Sequence, residues 1–351
     1  MLRIRWGVCV LAIAGLCLAA RSARAGEEEE DEALAAKRSC DRVKDVAFPA
    51  ADQPDEAVRD QLRGCSSEDL LYGIGQPADP VKARACAYVE QAAGDNKVFG
   101  GSAILMTIYA RGVGAAQNLD LAIRIACDLR GAPAEVQDRV VHLERLERLE
   151  RATGGTKGSK VKFDLCDDVS SGSLAGHCAV HQQRMTAAKR DRQFAARLSR
   201  WTAPERAAFQ QLRTAAVAFF RARSANEVDR SGRLRVAQQV QEEEREETAF
   251  GRLLDELDRG SPPKAADDLA KADKELNATY QRVMKTASPD RGTVTNEGIR
   301  LAERTWPSYR DAWAAFVKVK YPKVDPASIE ARVTRERTRE LEEMIPQGEA
   351  K

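Results

Sequence analysis

Three observations predict an all-α protein, a short helical-repeat solenoid followed by two helical-hairpin or bundle modules and stabilised by disulfides. The 351-residue composition is rich in Ala, Leu, Glu and Arg, 31% charged and only 5% aromatic, which favours helices. Apolar residues recur at steps of three and four, the spacing of one helical face. Landmarks in the N-terminal half repeat after thirty-nine residues, a period typical of stacked helical units.

Residues 1–25 read as a secretory signal peptide: a basic start (Arg3, Arg5), an apolar run from Val8 to Ala20, and the tripeptide Ala23-Arg24-Ala25. Val8 and Leu16 precede Cys9 and Cys17, where lipidation would want a small residue. The run is short for a spanning helix, which needs ~20 apolar residues. The expected mature chain is therefore periplasmic or secreted, with no membrane span. Cleavage removes four arginines and no acid, so the formal charge of +2 becomes −2. The basic footprint of a nucleic-acid binder is then missing.

An acidic segment, 26–38, opens the mature chain. Six cysteines remain, Cys40, Cys65, Cys86, Cys127, Cys166 and Cys178, an even number that reads as a disulfide framework in an exported protein. Proximity pairs Cys166 with Cys178, a small loop worth very roughly 3 kcal/mol. The other four pair among themselves, in an order left open.

Helical repeats are assigned to 39–152. Gly73-Ile74-Gly75 precedes Lys82-Ala83, and Gly112-Val113-Gly114 precedes Leu121-Ala122 at the same offset. Between the turns lie Ala83 to Ala93, the break Gly94-Asp95-Asn96, and Ser102 to Arg111, with Ile104, Leu105, Ile108 and Tyr109 at helical spacing. A phosphate cradle at Gly112 would need a Lys and a hydroxyl, or a third Gly after a strand; Gln117 and Asn118 stand there instead. The glycines read as left-handed helix ends, with Asp79 and Asn118 capping the helices that follow. The stretches MTIYARGVGAAQNLDLAIRIAC and LLYGIGQPADPVKARACAYVE resemble Sel-like repeats, relatives of tetratricopeptide repeats, over about Asp69 to Leu129. That resemblance implies disulfide-tied helix pairs involving Cys86 and Cys127, and a surface for protein partners.

The stretch from Ala132 to Ala152 predicts a closing helix. Val136, Val140 and Leu143 form its apolar stripe, and Glu144–Arg148 and Glu147–Arg151 stand one turn apart. A Thr-Gly-Lys-Ser linker occupies 153–163.

Two modules follow, 164–260 and 264–345. Aligning Lys189 with Lys271 places Asp191 on Asp273, Phe194 on Leu276 and Leu198 on Tyr280, and Phe220-Arg221 falls on Tyr309-Arg310; a diverged duplication is expected. The second module carries Ala272, Asp273, Leu276, Asn277 and Tyr280, then Ala302, Trp306, Tyr309, Arg310, Asp311 and Ala312. These residues resemble the lysozyme-inhibitor LprI family, which implies an inhibitory binding protein of the bacterial envelope with lysozyme as partner. Leu276, Tyr280 and Val283 are expected to pack on Trp306, Tyr309, Trp313 and Phe316 as a hairpin core. Asp273, Asn277, Arg310 and Asp311 are expected to share hydrogen bonds across it. With Tyr280 and Trp306 they form the candidate ligand or network set.

Pro307 predicts a kink, or a helix start near Trp306. Asp325-Pro326 predicts the start of the last helix, Thr202 with Glu205 a capping box, and the run Glu242 to Glu247 a solvated helix face. Chemistry is sparse. His177 and His181 stand one turn apart without a third ligand, so no metal is assigned. No cofactor motif, nucleophile elbow or triad can be assembled with His142, and no enzyme is expected. Two functions remain, a lysozyme-inhibitor-like binding protein and a Sel-like scaffold for envelope partners.

Overall fold

The structure is a computed structural model that describes residues 31–94, 97–153, 163–260, 268–285 and 291–345. The expected signal peptide, the start of the acidic segment and nearly all of the linker lie outside the described residues. Helices and turns make up the described chain, with no strand among the described residues. Its residues divide into two compact units between Leu174 and Ala175.

Unit 1 contains a helix over 31–43 (α1), a 3-10 turn at Ala50–Asp52, and helices α2 (Glu56–Gln61), α3 (Ser67–Tyr72), α4 (Pro80–Ala92), α5 (Gly101–Arg111), α6 (Leu119–Asp128) and α7 (Pro133–Thr153). From α3 to α7 each helix packs on the next. The two glycine corners share one geometry. Gly73, Gly75, Gly112 and Gly114 all have positive φ, the conformation that ends a helix without a Cβ penalty. The amides of Asp79 and Asn118 donate to the carbonyls of Leu70 and Tyr109 at 2.8 and 2.9 Å. Their side chains cap α4 and α6 as expected.

Small residues set how closely these helices pack. Ala83, Cys86, Ala87, Ala103, Ala122 and Ala126 are buried beside Leu105, Ile108 and Leu121. Two disulfides cross the unit, Cys40–Cys127 from α1 to α6 and Cys65–Cys86 from the segment before α3 to α4. The order left open by the sequence is thereby resolved. Cys166 and Cys178 are disulfide-bonded as well. Both ion pairs expected along α7 are formed.

Unit 2 contains α8 (Gly172–Leu198), which enters it at Ala175, then α9 (Ala203–Asn226), α10 (Arg235–Asp258), α11 (Leu269–Lys285), α12 (Asn296–Lys320) and α13 (Pro326–Glu342). One core joins them, built from Trp201, Phe209, Phe219, Phe220, Phe250, Trp306, Trp313 and Phe316, with Leu276, Val283 and Ile329 among its aliphatic members. The capping box at Thr202 and the Asp325 cap with Pro326 in the first turn are present.

Three expectations are corrected here. The long axis of α12 packs chiefly along α9, and α11 along α13. The residues expected to pack between α11 and α12 do share one core, but it is built together with the aromatic side chains of α9 and α10 and is not a two-helix hairpin. Pro307 sits inside a helix that runs unbroken from Asn296, so no helix starts near Trp306. Its ring faces solvent, where water can take the carbonyl left without a donor. The acidic run is not a solvated face, since Glu242, Glu246 and Glu247 are buried. Arginines on neighbouring helices explain why.

Candidate functional site

On α11 the inward positions are Ala272, Leu276, Thr279 and Val283, one helical stripe. Asp273, Asn277 and Tyr280 therefore fall to its flanks. An Asp273 carboxylate oxygen lies 3.6 Å from Arg310, and Arg310 donates twice to Asp311, at 3.0 and 2.9 Å. Asp273 and Arg310 thus make an ion pair across the two helices in place of the expected hydrogen bond. Asn277 does not join it. Its amide donates to the carbonyl of Asp273 one turn back, at 2.8 Å, because a short side chain on that flank reaches its own helix before its neighbour. The cluster is half-exposed, with Asp311 open to solvent.

The structure adds Glu330 of α13. Burial pushes its carboxyl up, with Asp311 and Asp273 acting in the same sense and Arg310 and Lys318 opposing. Asp273 of α11 and Asp311 of α12 thus contact one guanidinium, and Glu330 of α13 lies within electrostatic range of all three. Nothing in sequence spacing marks Glu330, whose place depends on α13 lying beside α11.

Trp306 and Tyr280 play other parts. Trp306 is buried with its ring centroid 5.3 Å from that of Phe219 and 5.9 Å from that of Tyr309. So buried, it offers a ligand no surface. Tyr280 is half-buried against the same core.

A second polar group was missed. Arg337 is fully buried and meets Glu227 at 2.5 Å, Glu303 at 2.6 Å and Glu340 at 3.1 Å. Arg223 meets Glu227 at 2.9 Å, Glu242 at 3.0 Å and Glu340 at 3.3 Å, and also pairs with Glu246. Both guanidiniums lie over the Phe219 ring. A signal existed: Arg337 interrupts the stripe Ile329, Val333, Leu341 at steps of four. An arginine on an apolar stripe needs buried carboxylates, and Glu227 at the end of α9, Glu303 of α12 and Glu340 of α13 supply them. Burial pushes the Glu303 carboxyl up, against the pull of Arg337.

In unit 1 the polar interior is smaller. Tyr88 and Tyr109 share a hydrogen bond of 2.6 Å, and Tyr109 donates to Asp52 at 3.0 Å. Arg84 pairs with Asp52 at 3.0 Å and donates to the Gly114 carbonyl at 2.5 Å. These groups tie the second corner to the 3-10 turn and read as structural. No group of three or more His, Cys, Asp or Glu able to hold a metal occurs among the described residues. His142 lies 3.1 Å from Asp168. His177 is exposed and His181 buried.

A family model described as lysozyme inhibitor LprI matches residues 264–341, the segment that holds α11, α12 and nearly all of α13. The Asp273–Arg310–Asp311–Glu330 face lies wholly within that match. No curated protein matches the chain, and no solved structure matches it.

Proposed function

We propose that the chain is an exported, non-enzymatic binding protein of the bacterial envelope, with a lysozyme-inhibitor-like C-terminal module. Its accessible face is the cluster of Asp273, Asp311 and Glu330 around Arg310. One observation carries this reading: Asp273 and Asp311 meet Arg310 across two helices at the surface inside the matched segment, with Glu330 of a third helix in electrostatic range. Such a face complements a basic partner such as lysozyme, and charge complementarity at an interface chiefly sets on-rate and selectivity. Disulfides throughout unit 1 suit an extracytoplasmic location. No helix among the described residues is long and apolar enough to cross a membrane.

A turbidity assay tests this reading with the chain lacking residues 1–25. Lysozyme should be inhibited, and the Asp273→Asn, Asp311→Asn, Glu330→Gln combination should weaken inhibition about tenfold or more at unchanged helicity. Absence of inhibition by the unsubstituted chain would sink the lysozyme assignment.

The second reading, a Sel-like scaffold formed by unit 1, is favoured by the identical hydrogen bonding of the two glycine corners. Consecutive helix pairs of this kind present extended surfaces to partners. The duplication of the C-terminal modules is supported by three helices in each, α8–α10 and α11–α13, with corresponding middle helices packed on one another.

A further inference from the structure

Helices α9 and α10 pack on one another, and the turn between them runs into α10 as Asp-Arg-Ser-Gly-Arg-Leu-Arg-Val over 229–236, every residue of it exposed. Leu234 is 50% and Val236 41% exposed. Helix α8 extends this apolar surface. A Cβ on Gly176 would stand 3.1 Å from that of Val236, and Val180, one helical turn further on, is 37% exposed. Surface aliphatics scattered singly need no explanation, but a cluster marks a contact.

The charge around these side chains is mainly positive. Arg230, Arg233 and Arg235 stand among them, and none of the three guanidiniums has a hydrogen-bond or ion-pair partner among the described residues. The single acid of the turn, Asp229, accepts from the amides of Ser231 and Thr293 at 3.0 Å each and from their hydroxyls at 2.8 and 3.1 Å. Those bonds fix the turn against the segment before α12, together with the Arg230 amide donating to the Thr293 hydroxyl at 2.7 Å. Glu227 faces inward to Arg337. No acid occurs on α8 from Gly172 to Arg190 or on α10 from Arg235 to Gln241. The acids of α10 begin at Glu242, which meets Arg223 at 3.0 Å.

We infer that this turn is a peripheral docking site for an anionic phospholipid surface. Leu234, Val236 and Val180 enter the boundary between headgroups and acyl chains, and the three arginines meet headgroup phosphates. A guanidinium binds phosphate through two parallel hydrogen bonds, and its aliphatic stem lies along apolar surface while the charged head stays in water. Basic residues beside exposed aliphatics are the composition of interfacial anchors. Each basic side chain at an anionic leaflet strengthens partitioning about fivefold. A protein partner would find no aromatic anchor in residues 229–236, and Leu and Val are under-represented among the residues that dominate protein interfaces. The inference is independent of the lysozyme reading, which uses side chains of α11, α12 and α13.

Co-sedimentation with large unilamellar vesicles tests it, using the chain lacking residues 1–25. Vesicles of phosphatidylglycerol and phosphatidylcholine in equal parts should be bound, phosphatidylcholine alone should not, and binding should weaken as salt rises. Arg230→Gln, Arg233→Gln and Arg235→Gln together should reduce partitioning about a hundredfold. Arg63→Gln, at an exposed arginine of unit 1, should leave it within about twofold. Leu234→Ser with Val236→Ser keeps the charge and should weaken binding about fivefold or more. If the triple variant lowers the melting temperature, Arg233→Gln alone is read instead and should lose about fivefold. The inference is overturned if phosphatidylglycerol vesicles are not bound, or if the arginine variants bind them as well as the parent. It is also overturned if the Leu234, Val236 variant binds unchanged while soluble polyglutamate at equal charge releases the parent, the result expected of an acidic protein partner.

Discussion

In unit 1 the packed helices α2 to α6 are at most 13 residues long, lined with alanine, and crossed by disulfides. In unit 2 they reach 27 residues, and aromatic rings and ion pairs hold them together. Short helices with small side chains bury little area each, so loop closure by disulfides and tight glycine corners supplies much of what fixes their order. Long helices carrying Trp and Phe bury enough area to tolerate a charged group in their midst. The second arrangement leaves charge on its outer faces, which is where the proposed Asp273–Arg310–Asp311 face lies.

Optical probes can break this comparison. With residues 1–25, and so Trp6, removed, the remaining Trp201, Trp306 and Trp313 all belong to unit 2, so tryptophan fluorescence follows that unit while far-ultraviolet circular dichroism follows both. Cys40→Ala with Cys127→Ala opens a loop whose ends are 87 residues apart. The chain-entropy argument puts the loss at roughly 4 to 5 kcal/mol. The circular-dichroism transition of unit 1 should move to lower urea and the fluorescence midpoint should stay. Movement of both together would mean that the units do not unfold separately.

Arg337→Leu is the converse experiment, leaving Glu227 buried without its closest cation. Removing one partner of a buried ion pair costs about 3 to 5 kcal/mol, here read from the fluorescence midpoint. Adding Glu227→Gln and Glu303→Gln should recover part of the loss. No recovery would show that Arg337 acts through its packing over Phe219 instead.

The two corners of unit 1 differ in one respect that substitutions can sharpen. A Cβ on Gly114 would come within 2.4 Å of the Pro80 carbonyl oxygen, whereas one on Gly75 meets nothing within 4 Å. Both positions have positive φ. Gly75→Ala should therefore cost about 1 kcal/mol from backbone conformation alone. Gly114→Ala adds a clash and should cost about 2 to 4 kcal/mol. Equal losses in thermal melting would refute the close approach.

The smallest expected effect is a pH dependence confined to unit 2. Asp229 accepts hydrogen bonds from the amides of Thr293 and Ser231 at 3.0 Å each, which lower its carboxyl to about 2. A carboxylate lowered by folding contributes stability that is present above its unfolded value and lost as pH falls through the folded one. Asp229→Asn should thus lie below the parent in melting temperature at neutral pH, and the two should converge between about pH 4 and about pH 2. A constant difference across that range would remove the carboxylate from the account.

Much of the helical order was legible because it is local. Asp79, Asn118, Thr202 and Asp325 cap helices where their side chains can reach an amide two or three residues on. The candidate face was half legible. Asp273, Arg310 and Asp311 came from the motif, yet Glu330 and the exclusion of Asn277 and Trp306 depended on which helices became neighbours. The run Glu242 to Glu247 misled for the same reason, since a charge run looks solvated until arginines on another helix are placed against it.

By itself the sequence determined the all-α class, the corners and caps, and the even set of cysteines, all set by backbone propensity within a few residues. Tertiary structure alone decided which cysteines of unit 1 pair, that α12 lies on α9, and that Arg337 is buried among glutamates. Those outcomes depend on side chains far apart in sequence competing for the same apolar area and the same charges. Local pattern is indifferent to which of them meet.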